Sequence, residues 1–233
     1  MNASSPAALI DLSGQRVLVT QSRDFMGPVL CETFAELGAT VIADDRALLD
    51  PAAPAQLIRA AGRVDALVAN LAIPAPSTPA PEVSEDEWRS VFGHLVDPLP
   101  RLLHAVLPQM AERGSGKILV LGSASALRGM KRASTYSAAR GAQLAWVQAV
   151  GVELAAQAVQ VNAIAQNFVD NPTYFPPEVQ ARPAFQERLQ REVPLGRLVA
   201  AREDAMFAAY LCSRAADCFV GQVFPLCGGW VAR

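Results

Sequence analysis

Three side chains between positions 121 and 142 have the types and the spacing needed to move a proton. Ser123 follows a predicted strand, Tyr136 comes thirteen positions later, and Arg140 lies four positions beyond Tyr136. Residues four apart lie one turn apart on the same face of a helix. A free phenol has a pKa of about 10, so roughly one in a thousand is ionised at neutral pH, and a cation within about 4–6 Å favours the phenolate. The spacing therefore predicts Tyr136 as a general base, Arg140 as the cation that favours phenolate, and Ser123 as a hydrogen-bond donor to a substrate oxygen.

The elements that must position these residues are indicated by apolar runs of strand length that alternate with helical patterns. We predict an α/β fold, a single Rossmann-like domain over residues 1–233, with a doubly wound parallel sheet flanked by helices on both faces. In such a sheet, ligands bind at the carboxyl ends of the strands. The predicted strands are 16–20, 40–43, 66–69, 117–122, 159–164 and 222–226, and the predicted helices include 27–37, one around 99–110 and one that begins near 134. The short segment 44–64 predicts a trimmed sheet edge, and 73–82 reads as an exposed loop.

The loop after the first strand lacks the glycines of a dinucleotide site. Between positions 20 and 28 it reads TQSRDFMGP, in which Gly27 is the single glycine. Asp24 adds negative charge and Phe25 adds an aromatic ring where a pyrophosphate needs bare backbone. A nucleotide could enter only if this loop moved away. Asp44, which would bind a ribose in an NAD enzyme, is predicted to be a turn or capping acid.

These two motifs resemble known families. A serine and a tyrosine with a cation four residues after the tyrosine resemble the short-chain dehydrogenase/reductase signature over nearly the whole chain, although Arg140 stands where that family has a lysine that also holds the nicotinamide ribose. The loop pattern of threonine, four residues, an aromatic residue, one residue and glycine is similar to that of halohydrin dehalogenases, a family derived from the same fold. This resemblance implies cofactor-independent conversion of vicinal haloalcohols into epoxides and halide, and opening of epoxides by small anions in reverse. It also implies that no cofactor and no metal take part.

The same resemblance implies an anion pocket in the space that a nicotinamide would occupy. A loop after the fifth strand would hold the halide through backbone N–H groups, flanked by an asparagine and aromatic side chains. The implied halide-binding residues are Phe25, Gln166, Asn167, Phe168 and Val169. The implied substrate-pocket residues are Leu127, Met130, Tyr174 and Phe175, the first two from their position after Ser123. The chain departs from the family at Gln166, where a proline is common, and at about Leu95, where dehydrogenases have an asparagine.

Composition limits the other functions. Hydrophobic residues make up 52% of the chain and charged residues 18%, which is typical of a globular protein, and the net charge of −2 gives no reason to expect nucleic acid or an anionic membrane as partner. The four cysteines form no CxxC pair and are predicted to be buried thiols. The first twenty residues contain neither a signal peptide nor a membrane span, so a cytoplasmic protein is expected. The resemblance implies a homotetramer.

Two other functions remain open. The first is an oxidoreductase that binds NAD(P) through an unusual loop. The second is a non-catalytic binding protein on the same fold, which would have no need for the three proton-transfer residues. A metal-dependent or nucleophilic hydrolase finds little support, because His94 and His104 lie far in sequence from these residues.

Overall fold

Six parallel strands form one sheet in the computed structural model, which describes residues 5–232. The strands are β1 (Arg16–Val19), β2 (Thr40–Ala43), β3 (Ala66–Ala69), β4 (Gly116–Ser123), β5 (Val159–Gln166) and β6 (Val223–Leu226). Their order in the sheet is β2-β1-β3-β4-β5-β6, and every neighbouring pair is parallel. The predicted α/β sheet is confirmed. In the described chain β2 lies at the edge, as the short segment 44–64 predicts.

Helices connect the strands and cover both faces of the sheet. They are α1 (Pro6–Ile10), α2 (Gly27–Glu36), α3 (Ala53–Ala61), α4 (Glu85–Leu95), α5 (Pro98–Arg113), α6 (Ser134–Leu154), α7 (Pro177–Gln180), α8 (Pro183–Glu192) and α9 (Ala201–Cys212). Short 3-10 turns occur at Ala80–Glu82, Ala124–Ala126, Ala155–Gln157 and Arg214–Ala216. The helix predicted to begin near Ser134 does begin there.

Two apolar clusters hold the helices on the sheet. One contains Leu57 of α3, Leu102 of α5 and Val147 of α6, and the other contains Leu30 of α2 and Ala208 of α9. Because both faces are covered, β3 and β4 are almost continuously apolar rather than alternating. This packing makes the sheet rigid and fixes where its strands end.

The carboxyl ends of the central strands form the platform for the site. Strands β4 and β5 run past their predicted ends, so Ser123 pairs with Gln166, and Gln166 pairs with Leu226 of β6. The chain crosses from one side of β1 to the other between β2 and β3, which is the kind of switch point where open α/β sheets bind ligands.

Other predictions made from the sequence have mixed outcomes. The segment 73–82 is coil, partly exposed, and ends in the 3-10 turn Ala80–Glu82. All four cysteines are free, but the prediction that they are buried is wrong for Cys218, which is exposed in a turn after the 3-10 segment Arg214–Ala216, and for Cys31 of α2, which is half-buried. Within residues 5–232, no helix has the length and apolarity to cross a membrane, and no cluster of three or more His, Cys, Asp or Glu side chains could hold a metal ion.

Candidate active site

Tyr136 and Arg140 lie together in the first two turns of α6. The guanidinium carbon of Arg140 lies 5.0 Å from the centre of the Tyr136 ring, and both side chains are buried. Arg140 Nη1 donates hydrogen bonds of 2.9 Å to the backbone oxygens of Leu71 and Leu121 and to Gln143 Oε1. These acceptors fix the guanidinium beside the phenol, as the spacing in the sequence predicts.

The charge of Arg140 has no carboxylate next to it. Arg140 is 3% exposed, and it takes part in none of the ion pairs within residues 5–232. Its Nε is buried and has no hydrogen-bond partner in the described structure. A buried cation that is balanced only by dipoles favours a negative charge that forms close to it. Gln143, whose Nε2 donates to the backbone oxygen of Leu95 at 2.6 Å, holds the arginine in place.

Ser123 ends β4 with its hydroxyl available as a donor. Its Oγ accepts hydrogen bonds from the backbone N–H of Ser125 at 3.2 Å and from Ser125 Oγ at 2.9 Å. Neither bond uses the Ser123 hydroxyl hydrogen, so this hydrogen can be donated to a substrate oxygen.

Tyr174 adds a second phenol to the site. Its hydroxyl donates to the backbone oxygen of Ile73 at 2.5 Å and lies 3.3 Å from the Tyr136 hydroxyl. Burial, followed by the proximity of Tyr136, raises the pKa of Tyr174 well above its usual range, whereas Arg140 lowers it. Tyr174 therefore stays a neutral phenol, and it can turn its hydrogen toward a phenolate on Tyr136. Asn171 Oδ1 accepts the backbone N–H of Tyr174 at 2.9 Å and fixes this part of the loop.

A cavity of about 190 Å³ opens at the carboxyl ends of the strands. It is lined by Ser123, Tyr136 and Arg140, by Phe25, Gln166, Asn167, Phe168 and Val169, by Met130, Tyr174 and Phe175, and by further residues including Asn70, Ser125, Asn171 and Arg188. The fold thus brings together every predicted site residue except Leu127. Leu127 follows the 3-10 turn Ala124–Ala126 as its C-cap and packs against the larger apolar cluster. The prediction that Leu127 lines the cavity is therefore corrected.

The loop after β5 differs in detail from the prediction that its backbone N–H groups hold a halide. The Asn167 N–H donates to the backbone oxygen of Leu226 at 3.2 Å, because the parallel pairing with β6 continues one residue beyond the strand. The Phe168 N–H donates to Asn167 Oδ1 at 2.9 Å. These two N–H groups are already used, which corrects the prediction for Asn167 and Phe168. Instead, Asn167 Nδ2 is buried and has no partner within the described residues.

Aromatic rings form the walls around this loop. The centres of the Phe25 and Tyr174 rings are 5.3 Å apart, and those of Phe168 and Phe175 are 5.9 Å apart. Phe168 also packs edge-on against Trp230. Phe25 and Phe168 both have positive φ, +52° and +51°, which is uncommon for a large side chain and costs backbone free energy. Such strain is typical of sites where a ring must be held in one place.

The loop between β1 and α2 does not fit a dinucleotide as it is folded. A Cβ on Gly27 would lie 2.2 Å from the Gln21 backbone oxygen, so the loop is closed tightly on itself. The Gly27 N–H, at the start of α2, donates to the backbone oxygen of Asp24 at 2.8 Å. Asn70 Nδ2 donates to the backbone oxygens of Gln21 and Asp24, and the Phe25 side chain lies in the cavity. A pyrophosphate needs open backbone at this helix N-terminus, where the Gly27 N–H is already used within the loop. Asp44 accepts the backbone N–H of Arg46, which confirms it as a turn residue.

Several residues of the site escaped the sequence analysis. Arg188 of α8 lines the cavity with its guanidinium carbon 5.2 Å from the centre of the Phe168 ring, and it also pairs with Glu192. The sequence contains one indication of Gln143, because it is a polar residue one turn from Arg140 on the buried face of α6. The sequence contains no indication of Arg188, because its helix reaches the site through a contact between distant parts of the chain.

Comparison with known proteins gives two kinds of relatives. A family model described as enoyl-(acyl carrier protein) reductase matches residues 7–231. A solved structure named a dehalogenation enzyme is 32% identical, with a TM-score of 0.89, and the match covers 95% of this chain and 100% of that one. A halohydrin dehalogenase (HheC) bound to ethyl (2S)-oxiran-2-ylacetate is 30% identical with a TM-score of 0.87, covering 94% and 99%. By sequence, cis-4-hydroxycyclohexanecarboxylate dehydrogenase of Sinomonas cyclohexanicum is 30% identical over 244 aligned residues, 92% of this chain and 96% of that protein.

Proposed function

The chain belongs to the short-chain dehydrogenase/reductase family, and from that premise we propose that it is a halohydrin dehalogenase that works without a nicotinamide cofactor. Its reaction would convert a vicinal haloalcohol into an epoxide, a proton and a halide ion. In reverse, a small anion would open an epoxide. The two dehalogenase structures, each matched over at least 94% of this chain, support this reading.

One observation carries the proposal. The cavity that holds Ser123 and Tyr136 also holds the Phe25 ring and Asn167, whose buried Nδ2 has no partner. A buried N–H group without an acceptor costs roughly 1–3 kcal/mol, which a bound anion would recover. The same cavity thus contains a proton acceptor and an unsatisfied donor. This is the arrangement that an internal displacement of halide needs.

The proton-transfer step follows from the contacts of Tyr136. Ser123 donates to the substrate hydroxyl oxygen, and the Tyr136 phenolate takes its proton. Arg140, which is buried with no carboxylate beside it, stabilises the phenolate. Tyr174 can donate a hydrogen bond to the phenolate oxygen of Tyr136. Preorganised charge among buried side chains contributes far more than the same charge would in solution.

The displacement step follows from the shape of the cavity. The alkoxide oxygen forms a bond to the neighbouring carbon as the carbon–halogen bond breaks, and the halide leaves with the bonding electrons. Asn167 Nδ2 and the positive edges of the surrounding rings receive the halide. Tyr136 then releases its proton to water. Holding the oxygen on Ser123 and Tyr136 and the leaving group on Asn167 would supply the alignment that the displacement requires.

An NAD(P)-dependent oxidoreductase is the second candidate, and the names of the sequence relatives favour it. It requires the loop around Gly27 to open and Phe25 to leave the cavity. Titration with NADH and NADPH, followed by nucleotide fluorescence, separates the two. Saturable binding of either nucleotide at micromolar concentration would support the oxidoreductase, and no binding is expected from the dehalogenase.

The anion end of the site is tested by opening an epoxide with azide. We expect Asn167→Leu, which loses the donor, to lower the rate at subsaturating azide by about tenfold, the value of one hydrogen bond to a charged group. Asn167→Asp should lower it further by repulsion. Equal azide dependence in all three proteins would remove Asn167 from the proposal.

The proposal extends to assembly and location. We propose that residues 1–233 act as one domain, and that the chain forms a homotetramer through α5 and α6 in the cytoplasm. Val152 on α6 is 72% exposed, which leaves an apolar side chain for a neighbouring subunit to cover. Light scattering of the purified protein tests the tetramer, and a monomeric mass would contradict it.

A further inference from the structure

A buried carboxylate stands behind the anion end of the cavity, and the proposed mechanism does not use it. Asp204 of α9 is fully buried. Its Oδ2 accepts a 2.6 Å hydrogen bond from Gln166 Nε2, and its Oδ1 has no partner among residues 5–232. The side chain sits in the apolar cluster between α2, α9 and the sheet, beside Ala205 and Ala208.

Gln166 connects this carboxylate to the cavity. It is the last residue of β5, it lines the cavity wall, and it is followed directly by Asn167. An amide has a donor end and an acceptor end, so a partner that holds one end decides which end remains for the cavity. Asp204 holds the donor end.

We propose that Asp204 is a positioning residue that sets, through the Gln166 amide, how tightly the cavity holds a small anion such as bromide. The proposal rests on the proposed function, because it assigns the bound anion to the same cavity. It also gives a role to Gln166, which stands where halohydrin dehalogenases, the family that this chain resembles, commonly have a proline.

Two states of Asp204 give opposite environments for the anion. As a carboxylate, it holds Gln166 Nε2 and places a negative charge one amide away from the cavity. As a carboxylic acid, Asp204 carries no charge. If the Gln166 amide then rotates by half a turn, the acid can donate its hydrogen to Gln166 Oε1, and the Gln166 NH₂ group becomes available to the cavity. Both changes favour the anion in the acid state.

The acid state is accessible near neutral pH. Burial raises the pKa of Asp204 to about 7, and the hydrogen bond from Gln166 opposes this rise. Charged and titratable groups on its own helix and on the elements packed against it are Arg202, Glu203, Tyr210 and Cys212 of α9, Cys31, Glu32 and Glu36 of α2, Lys117 of β4 and Arg214 of the adjacent 3-10 turn. The cavity that Gln166 lines is also lined by Tyr136, Tyr174, Arg140 and Arg188.

Coupling of this kind is reciprocal. If protonation of Asp204 tightens anion binding, a bound anion raises the pKa of Asp204 by the same free energy. Product halide would then leave more readily above neutral pH, and anions that open epoxides would be captured more readily below it.

The test compares bromide affinity at two pH values in the wild type and in Asp204→Asn. Asparagine has the shape of aspartate, stays neutral and, like the carboxylic acid, can donate a hydrogen bond to Gln166 Oε1. Affinity is obtained from the added unfolding free energy in bromide relative to gluconate at matched ionic strength. Asp217→Asn is the matched control, because Asp217 is exposed and pairs with Lys117 near the opposite end of β4 from Ser123.

We expect the wild-type dissociation constant for bromide to rise about tenfold between about pH 5.5 and about pH 8.5, the size of one unit of pKa coupling. In Asp204→Asn the dissociation constant for bromide should change by no more than about twofold over this pH range and should match the wild-type value at the lower pH. Asp217→Asn should behave as the wild type. An unchanged pH dependence in Asp204→Asn would overturn the inference and leave the proposed function standing. Absence of bromide binding at both pH values, together with absence of halide release from haloalcohols, would overturn both.

Discussion

Replacing Asp204 by asparagine is expected to abolish a loss of stability that the wild type shows as the pH rises. The pKa of Asp204 is raised from 3.8 to about 7 in the folded protein, mainly by burial. The folded state therefore binds a proton in a range where the unfolded chain has already released it. Stability falls as the pH rises through this range, from about 4 to about 7, and levels off above it.

The size of this loss follows from the two pKa values. A difference of about three units corresponds to roughly 4 kcal/mol in total, of which roughly 2.5 kcal/mol falls between about pH 5 and about pH 8. For a chain of this length, each kcal/mol moves the melting temperature by roughly 2–4 °C. The wild type is thus expected to melt about 5–10 °C lower at pH 8 than at pH 5 because of this one group. In Asp204→Asn, the free energy of unfolding at pH 8 should exceed that of the wild type.

Urea unfolding at a series of pH values measures the effect directly. The quantity of interest is the difference in unfolding free energy between wild type and Asp204→Asn, because this difference removes the contributions of other groups such as Glu203. Asp217→Asn serves as the exposed carboxylate control and should leave the pH profile unchanged. A wild-type curve parallel to that of Asp204→Asn from pH 5 to pH 8 would refute the reasoning, since it would mean that Asp204 is not held protonated by burial.

Three further predictions concern the cavity itself. Gly27→Ala places a methyl group 2.2 Å from a backbone oxygen of its own loop and should lower the unfolding free energy in urea by about 2 kcal/mol or more, whereas a change below 0.5 kcal/mol would show that the loop is loose. Tyr174→Phe removes a donor that lies 3.3 Å from the Tyr136 hydroxyl and should lower kcat for dehalogenation by about tenfold, so an unchanged kcat would remove Tyr174 from the chemistry. Met130→Ala, on the cavity wall, should raise KM for haloalcohols by a few fold, whereas Leu127→Ala should leave KM unchanged. A raised KM in Leu127→Ala and an unchanged KM in Met130→Ala would place Leu127 in the cavity.

Short-range patterns in the sequence account for what could be predicted. The spacing of Tyr136 and Arg140 fixes their shared face because a helix has a constant repeat, and the strand that ends at Ser123 is an uninterrupted apolar run. The closed loop around Phe25 could be predicted from its missing glycines. These features depend on neighbours within a few residues, so the sequence alone determines them.

Features that depend on distant neighbours could not be predicted. Arg188 reaches the cavity from a helix far along the chain, and the unused donor on Asn167 appears only once β6 has taken the backbone N–H. Leu127 packs against the larger apolar cluster and is not among the residues that line the cavity, a difference that depends on contacts distant in the sequence. Asp204 left one signal, an acid followed on α9 by the small residue Ala205 and, one turn later, by Ala208.

Mixing the purified protein with a small vicinal bromoalcohol in the absence of any nucleotide tests the proposed dehalogenation itself. We expect bromide, epoxide and protons to form in equal amounts. Their formation should be abolished in Tyr136→Phe and retained in Tyr210→Phe, a tyrosine of α9 outside the residues that line the cavity. Absence of bromide release by the wild type from several bromoalcohols, or undiminished release by Tyr136→Phe, would contradict it.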